Sequence, residues 1–178
     1  MKRRFILASL LALPSVARAQ ADEWQTVVAP DLRFRLEMPT PANKATADEK
    51  EKGHSAPRVA WESKRRDQIF NFDYVDYDPG WFSSRDSKVM AKELGRGDAE
   101  KAFPKIKYKY LRDEPVSLQG WDGYALDIEG EAGAGVMMRT YIAKDRLFRL
   151  LVTVSDDDKS KAAANRFLDS LKLAENKT

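Results

Sequence analysis

Cysteine is absent from this 178-residue chain, histidine occurs once, and no apolar run approaches the length of a membrane span. Without a thiol, disulfides, thiol redox chemistry, thiolate catalysis and thiolate metal sites are excluded. A lipid-anchored N-terminus is excluded too, because it needs a Cys directly after its cleavage site. One His and no Cys fall short of the usual zinc ligand sets. That His, His54, sits between Gly53 and Ser55 in a polar stretch. A general base needs a rigid mount and an orienting carboxylate, so His54 reads as an exposed loop residue. Stability must come from packing alone.

The longest apolar segment lies at the N-terminus and has the grammar of an export signal. Lys2, Arg3 and Arg4 supply a charged start, Phe5 to Leu13 an apolar stretch, and Ala17-Arg18-Ala19 places small residues where a signal peptidase reads them. Cleavage between Ala19 and Gln20 is expected. A retained anchor would need roughly 17 to 25 apolar residues, and Pro14 and Arg18 interrupt this stretch well before that. Arg3-Arg4 partly matches a twin-arginine signal, but Phe5 follows directly, so the general secretory route is preferred. The expected destination is the periplasm, with no stable membrane anchor left after cleavage.

Loss of residues 1–19 changes the charge argument. The full chain carries a formal +3 and a pI near 9.0, which invites a nucleic-acid or anionic-membrane partner. Four of its 31 basic residues leave with the signal and no acid does, so 27 basic residues face 28 acidic ones. The expected mature chain, 20–178, is one domain of nearly neutral charge, and nucleic acid is not an expected partner. Lys101, Lys105, Lys107, Lys109 and Arg112 alternate with Ile106, Tyr108 and Tyr110, as on the wet face of a strand.

Trp24 to Val28 and Arg33 to Met38 read as short strands, the second ended by Pro39-Thr40-Pro41. From Ala42 to Ser55 the chain is polar and aperiodic and is expected to be a surface loop. Val59 to Ser63 and Ile69 to Tyr77 form a candidate hairpin turned at Arg65-Arg66-Asp67-Gln68, with Phe70, Phe72 and Tyr74 on one face. After Asp78-Pro79-Gly80, Ser83 or Ser84 can cap a helix running to about Leu94, with Gly95 and Gly97 as a stop or kink and a further turn over 98–103. Strands are expected over 107–117, 123–129, 136–142 and 147–154, linked too briefly for parallel crossovers. The last is apolar on nearly both faces, as a central strand is. A helix starting at Ser155 or Asp156 follows, with Ala164, Phe167, Leu168 and Leu171 as one apolar stripe. The class is therefore α+β, an antiparallel sheet of about six to seven strands with helices packed on it.

Phe34-Arg35-Leu36-Glu37-Met38-Pro39, Gly120-Trp121-Asp122-Gly123-Tyr124, Arg139-Thr140-Tyr141, Arg146-Leu147-Phe148-Arg149-Leu150 and Arg166-Phe167-Leu168-Asp169-Ser170-Leu171 stand in an order that resembles the PsbP/Mog1-like family. The resemblance spans residues 24–173 and implies an α/β/α sandwich used mostly for binding or assembly. Neither a metal-ligand set nor a Ran-binding surface of family members maps onto these residues, so those functions do not carry over.

The remaining polar clusters have plain structural explanations. Asp156-Asp157-Asp158 lies where acids cap a helix. Asp73, Asp76 and Asp78 lack the Gly and closing Glu of a calcium loop. Gly130 to Gly135 is flanked by strands, unlike a phosphate-binding loop. Tyr74, Tyr77, Trp81 and Phe82 crowd a turn, where aromatics serve as anchors in interfaces and clefts or tuck under the next helix. Arg139, Tyr141 and Arg149 either add polar contacts or pair with acids across the sheet. No catalytic residues, metal or cofactor are expected. The function expected is binding or assembly with an unidentified protein partner or small ligand, the alternative being a carrier or enzyme with an aromatic-lined cleft.

Overall fold

The computed structural model describes residues 23–31, 33–51, 54–102, 107–130 and 133–174. The expected signal, with Ala19 and Gln20, lies outside them. The elements are β1 (Trp24–Val28), β2 (Phe34–Pro39), β3 (Asn43–Glu51), β4 (His54–Arg65), β5 (Gln68–Asp76), α1 (Ser87–Ala102), β6 (Lys109–Leu118), β7 (Trp121–Glu129), β8 (Gly135–Ala143), β9 (Arg146–Val154), α2 (Asp158–Asp169) and β10 (Lys172–Leu173). Seven strands form one antiparallel sheet in the order β3-β4-β5-β9-β8-β7-β6, and β1, β2 and β10 form a separate small sheet.

The expected α+β class holds, with β9 in the middle of the large sheet. Its apolar residues are needed on both faces because a layer lies against each. On one face, Phe70, Phe72, Phe148, Leu150 and Val152 pack against Phe34, Leu36 and Met38 of the small sheet and Ala164, Phe167 and Leu168 of α2. Phe34 and Phe72 meet edge to face at 4.8 Å, and Phe70 and Phe167 at 5.5 Å. Each fully buried ring contributes roughly 1.5–3 kcal/mol of hydrophobic stabilisation. On the other face, Met90, Ala91 and Ala99 of α1 pack against Tyr124, Leu126, Ile128, Val136 and Met138.

The helix ends follow capping chemistry. The Asp157 side chain accepts from the Ser160 amide at 2.9 Å and the Ser155 hydroxyl at 2.8 Å, which fixes the start of α2. In α1 the cap is Asp86, whose Oδ1 accepts from the Lys88 amide at 2.8 Å. Ser83 instead closes the preceding turn, donating to the Gly80 carbonyl at 2.7 Å.

Three expectations are corrected. Residues 42–55 are not a loop: β3 pairs with β4 over nine positions, from Asn43↔Glu62 to Glu51↔His54. Alternating hydrophobicity records one buried face, and β3 is exposed along nearly its whole length. It is an edge strand whose Lys, Asp and Glu side chains guard it against further pairing. His54 accordingly begins β4. Gly95 and Gly97 do not stop α1, which runs through both. A Cβ on Gly95 would approach Thr140 Oγ1 to 3.2 Å, so this glycine lets the helix lie close on β8. Finally, the described basic residues between 101 and 112 do not share one strand face: Lys101 lies in the last turn of α1, Lys107 precedes β6, and Lys109 and Arg112 lie on β6, while Lys105 lies outside the described residues.

Candidate functional site: a charged groove beside α1

The aromatic and polar residues singled out from the sequence fall on opposite faces of the large sheet. Tyr74 faces the small sheet, its ring 5.5 Å from Phe34 and 4.2 Å from the Arg146 guanidinium. Tyr141 is buried on that same face, and burial raises its phenol above the ordinary value. Arg139, also buried, donates to Asp127 at 2.5 Å and to the Met138 carbonyl at 2.7 Å. Tyr77, Trp81 and Phe82 lie on the α1 side. Tyr77 stacks on Trp81 at 5.5 Å and meets Phe82 edge to face at 5.1 Å. Strand parity separates them: Tyr74 and Tyr77 are three residues apart, so a chain that alternates sides sends them to different faces. Tyr77 and Phe82 are buried, while Trp81 is half-buried at the edge of a cavity of about 230 Å³.

The α1 side holds a second arrangement that includes Arg149. Helix α1 lies chiefly over β7 and β8 and touches β6, so the strands from β9 toward β3 run out beside it. There Arg149 stands directly opposite Asp73 in the β5–β9 register. Its Nε donates to Asp73 Oδ1 at 2.8 Å, and its two terminal nitrogens reach Glu49 at 2.5 and 3.0 Å. A further contact runs to Asp98 of α1 at 3.3 Å. Arg58 shares Asp73 through Oδ2 at 2.7 Å. Its Nε is buried and makes no hydrogen bond.

Four elements thus meet at one guanidinium. Burial works against the Arg149 charge, but Asp73, Glu49 and Asp98 outweigh it and hold the group protonated beyond its ordinary range. Asp98 shows the opposite balance: its burial raises the carboxyl above the usual value despite the opposing pull of Arg149 and Lys101. A cleft of about 490 Å³ opens over this network, with Lys50, Arg58, Glu62 and Asn71 on its walls. It shares Glu49, Asp98, Lys101 and Arg149 with the smaller aromatic cavity, so the two form one groove along α1.

The groove presents a fixed alternation of charges. Its carboxylates around Arg149 are already engaged, and among the described residues no group of three or more His, Cys, Asp or Glu is placed to hold a metal. Such a surface recognises by ion-pair and hydrogen-bond complementarity. Glu49, Asp98 and Arg58 were missed in the sequence, although a signal existed: Arg149 interrupts an otherwise apolar central strand, and a charge there requires a buried partner.

No family model and no curated protein matches this chain. Solved structures do. The cyanobacterial PsbP of Synechocystis superposes with a TM-score of 0.59 at 10% identity, over 91% of this chain and 99% of that one. A Pseudomonas aeruginosa protein of unknown function matches at 0.43 and 10% identity, over 87% and 99% of the two chains. LpqN of Mycobacterium tuberculosis, described as involved in cell envelope biogenesis, matches at 0.44 and 11% identity, over 85% and 91%. The chain has the PsbP fold, as its strand and helix motifs imply. No helix among the described residues is long and apolar enough to cross a membrane.

Proposed function

We propose that the chain is exported, cleaved between Ala19 and Gln20, and acts in the periplasm as a non-enzymatic binding or assembly protein that engages its partner through the groove along α1. The groove between α1 and the strands β3, β5 and β9 carries this reading. A charge network centred on Arg149 is held rigid there by four elements and faces an open cleft, the geometry expected of a preorganised recognition surface. Two measurements test it. N-terminal sequencing of the periplasmic protein should begin at Gln20. A photo-crosslinking side chain at Lys50 or Glu62 should give a discrete adduct in cells, while one at Asn165 on α2 should not. An uncleaved cytoplasmic product, or adducts indifferent to position, would refute the proposal.

The alternative, a small-ligand carrier or enzyme, draws on the Tyr77–Trp81 stack beside the smaller cavity. In that reading Trp81 and Phe82 contact the ligand, and Trp81→Ala abolishes binding without unfolding the chain. Its cavity, about 230 Å³, is below the roughly 300–1,000 Å³ usual for ligand pockets, which favours the first reading.

A further inference from the structure

Helix α1 is fastened unevenly to the sheet. Up to Gly95 it buries Met90, Ala91 and that glycine, which lies close on Thr140. Beyond that point the attachment thins. Among residues 98–101 only Ala99 is buried; Asp98 is half-buried, and Glu100 and Lys101 are exposed. Between the two stretches stands Gly97, where an added Cβ would meet no atom within 4 Å, so close packing does not account for this glycine. A glycine inside a helix weakens it roughly fourfold to fivefold relative to alanine, which makes Gly97 the place where the last turns part most readily from the rest.

Asp98 ties these turns to the floor of the groove, and the tie is weak. Arg149 gives its Nε to Asp73 at 2.8 Å and both terminal nitrogens to Glu49 at 2.5 and 3.0 Å, so Asp98 reaches only Nη1, already shared with Glu49, at 3.3 Å. Two carboxylates from β5 and β3 therefore crowd the guanidinium that Asp98 needs. Arg58 of β4 pairs with Asp73 at 2.7 Å and lies 3.9 Å from Glu49. On its own helix Asp98 has Lys101 one turn on. Lys50 and Glu62 line the wider cleft with it, and Arg85 and Glu93 the smaller cavity, one of each sign in both cases. The balance disfavours the ionised form. Burial pushes the carboxyl up, Arg149 and Lys101 pull it down, Glu49 and Asp73 push it up, and it settles above its ordinary 3.8.

We propose that the end of α1, from Asp98 onward, is a proton-operated wall of the groove, closed against the sheet while Asp98 is neutral and opening locally at Gly97 when it is ionised. Linkage fixes the sign. In the closed position Asp98 holds its proton more tightly than in the open one, where water surrounds it, so acid favours closure and rising pH favours opening. The strands keep Arg149, Glu49 and Asp73 together in both positions, and only the wall moves. The partner of the groove accordingly gains access near neutral pH and loses it in acid. That consequence rests on the groove being a recognition surface; the movement itself does not.

The movement is testable on the intact protein without a partner. Nuclear magnetic resonance of the Asp98 carboxyl carbon, followed against pH, should show a midpoint above 3.8. Amide exchange in residues 98–101, corrected for its intrinsic pH dependence, should report opening that increases by up to about tenfold per pH unit from 3.8 to that midpoint and then levels off. Asp98→Asn, the neutral isostere, should stay closed with a flat profile. Gly97→Ala should lower opening about fivefold at every pH while keeping the parent's dependence. In cells, the photo-crosslinking side chain at Lys50 should give more adduct in neutral than in acidic medium, and the Asp98→Asn background should remove that difference. The proposal is overturned by an Asp98 midpoint at or below 3.8, by opening indifferent to pH, or by an Asp98→Asn protein that still follows the parent's profile. Equal adduct in both media would overturn the wall's control of access. Exchange as expected with no adduct in either medium would count against the groove as a recognition surface and leave the wall standing.

Discussion

Replacing Arg149 with Met removes the one cation shared by Asp73, Glu49 and Asp98 and leaves three carboxylates around an apolar side chain. Removing one partner of a buried pair typically costs about 3–5 kcal/mol, because the other charge stays buried without compensation. The carboxylate side chains here keep 10, 18 and 25% of their exposure, so water from the cleft screens part of the cost. A loss near the lower end, about 3 kcal/mol, is expected at neutral pH. Urea unfolding followed by circular dichroism measures it. Combining Arg149→Met with Asp73→Asn and Glu49→Gln should recover part of that loss, since the charges that remain, Arg58 and Asp98, are one of each sign. The pH dependence gives an independent check. Burial already raises the Asp98 carboxyl above its ordinary value against the pull of Arg149, and loss of Arg149 raises it further, so the fold is penalised at neutral pH. That penalty disappears as falling pH protonates Asp98, and the single variant should approach the parent on acidification. A loss below about 1 kcal/mol, or no recovery in the triple variant, would show that the network is not the organising feature of this surface.

Further substitutions test other parts of the fold. Gly97→Ala lies in a continuous helix with open space around the new methyl group, and thermal unfolding should show a gain of about 0.5–1 kcal/mol. No gain would mean that α1 breaks at Gly97 after all. Gly123→Ala should destabilise by about 1–3 kcal/mol or more through overpacking, because its Cβ would fall 2.3 Å from Tyr141 Cδ1 and 2.6 Å from the Thr140 carbonyl oxygen; an unchanged melting temperature would refute that packing. Asp157→Ala should fray α2, seen as faster amide exchange in residues 158–161. Hydrogen bonds from the Ser160 amide and the Ser155 hydroxyl lower the Asp157 carboxyl below its ordinary 3.8, so its stabilisation is present above that value. It is lost as pH falls through the folded-state value, and the two proteins should converge in strong acid.

Strand β9 and helix α2 were legible because each writes its burial into the sequence. The run Phe148 to Val154 satisfies two covered faces, and Ala164, Phe167, Leu168 and Leu171 place one stripe on the sheet. Strand β3 wrote nothing, since an edge strand wet on both sides has no face to encode. Gly95 misled for a related reason: its smallness answers to Thr140, 45 positions away in the sequence, and local propensity carries no trace of that contact. The groove was partly visible. Asp73 and Arg149 could be expected to seek partners, but their meeting depends on β5 lying beside β9, and Asp98 joins them only because α1 crosses the sheet at this point.

The 27 basic and 28 acidic side chains of residues 20–178 argue against broad attraction to a polyanion, yet that balance says little about local fields. A protein's potential follows how its charges are placed. In the groove along α1, acids and bases alternate at hydrogen-bond distance and cancel within a few ångströms. Such a surface can discriminate a partner by the pattern of its charges while exerting little pull at a distance, so its affinity should vary only weakly with salt, and a steep fall in affinity with rising ionic strength would refute this account.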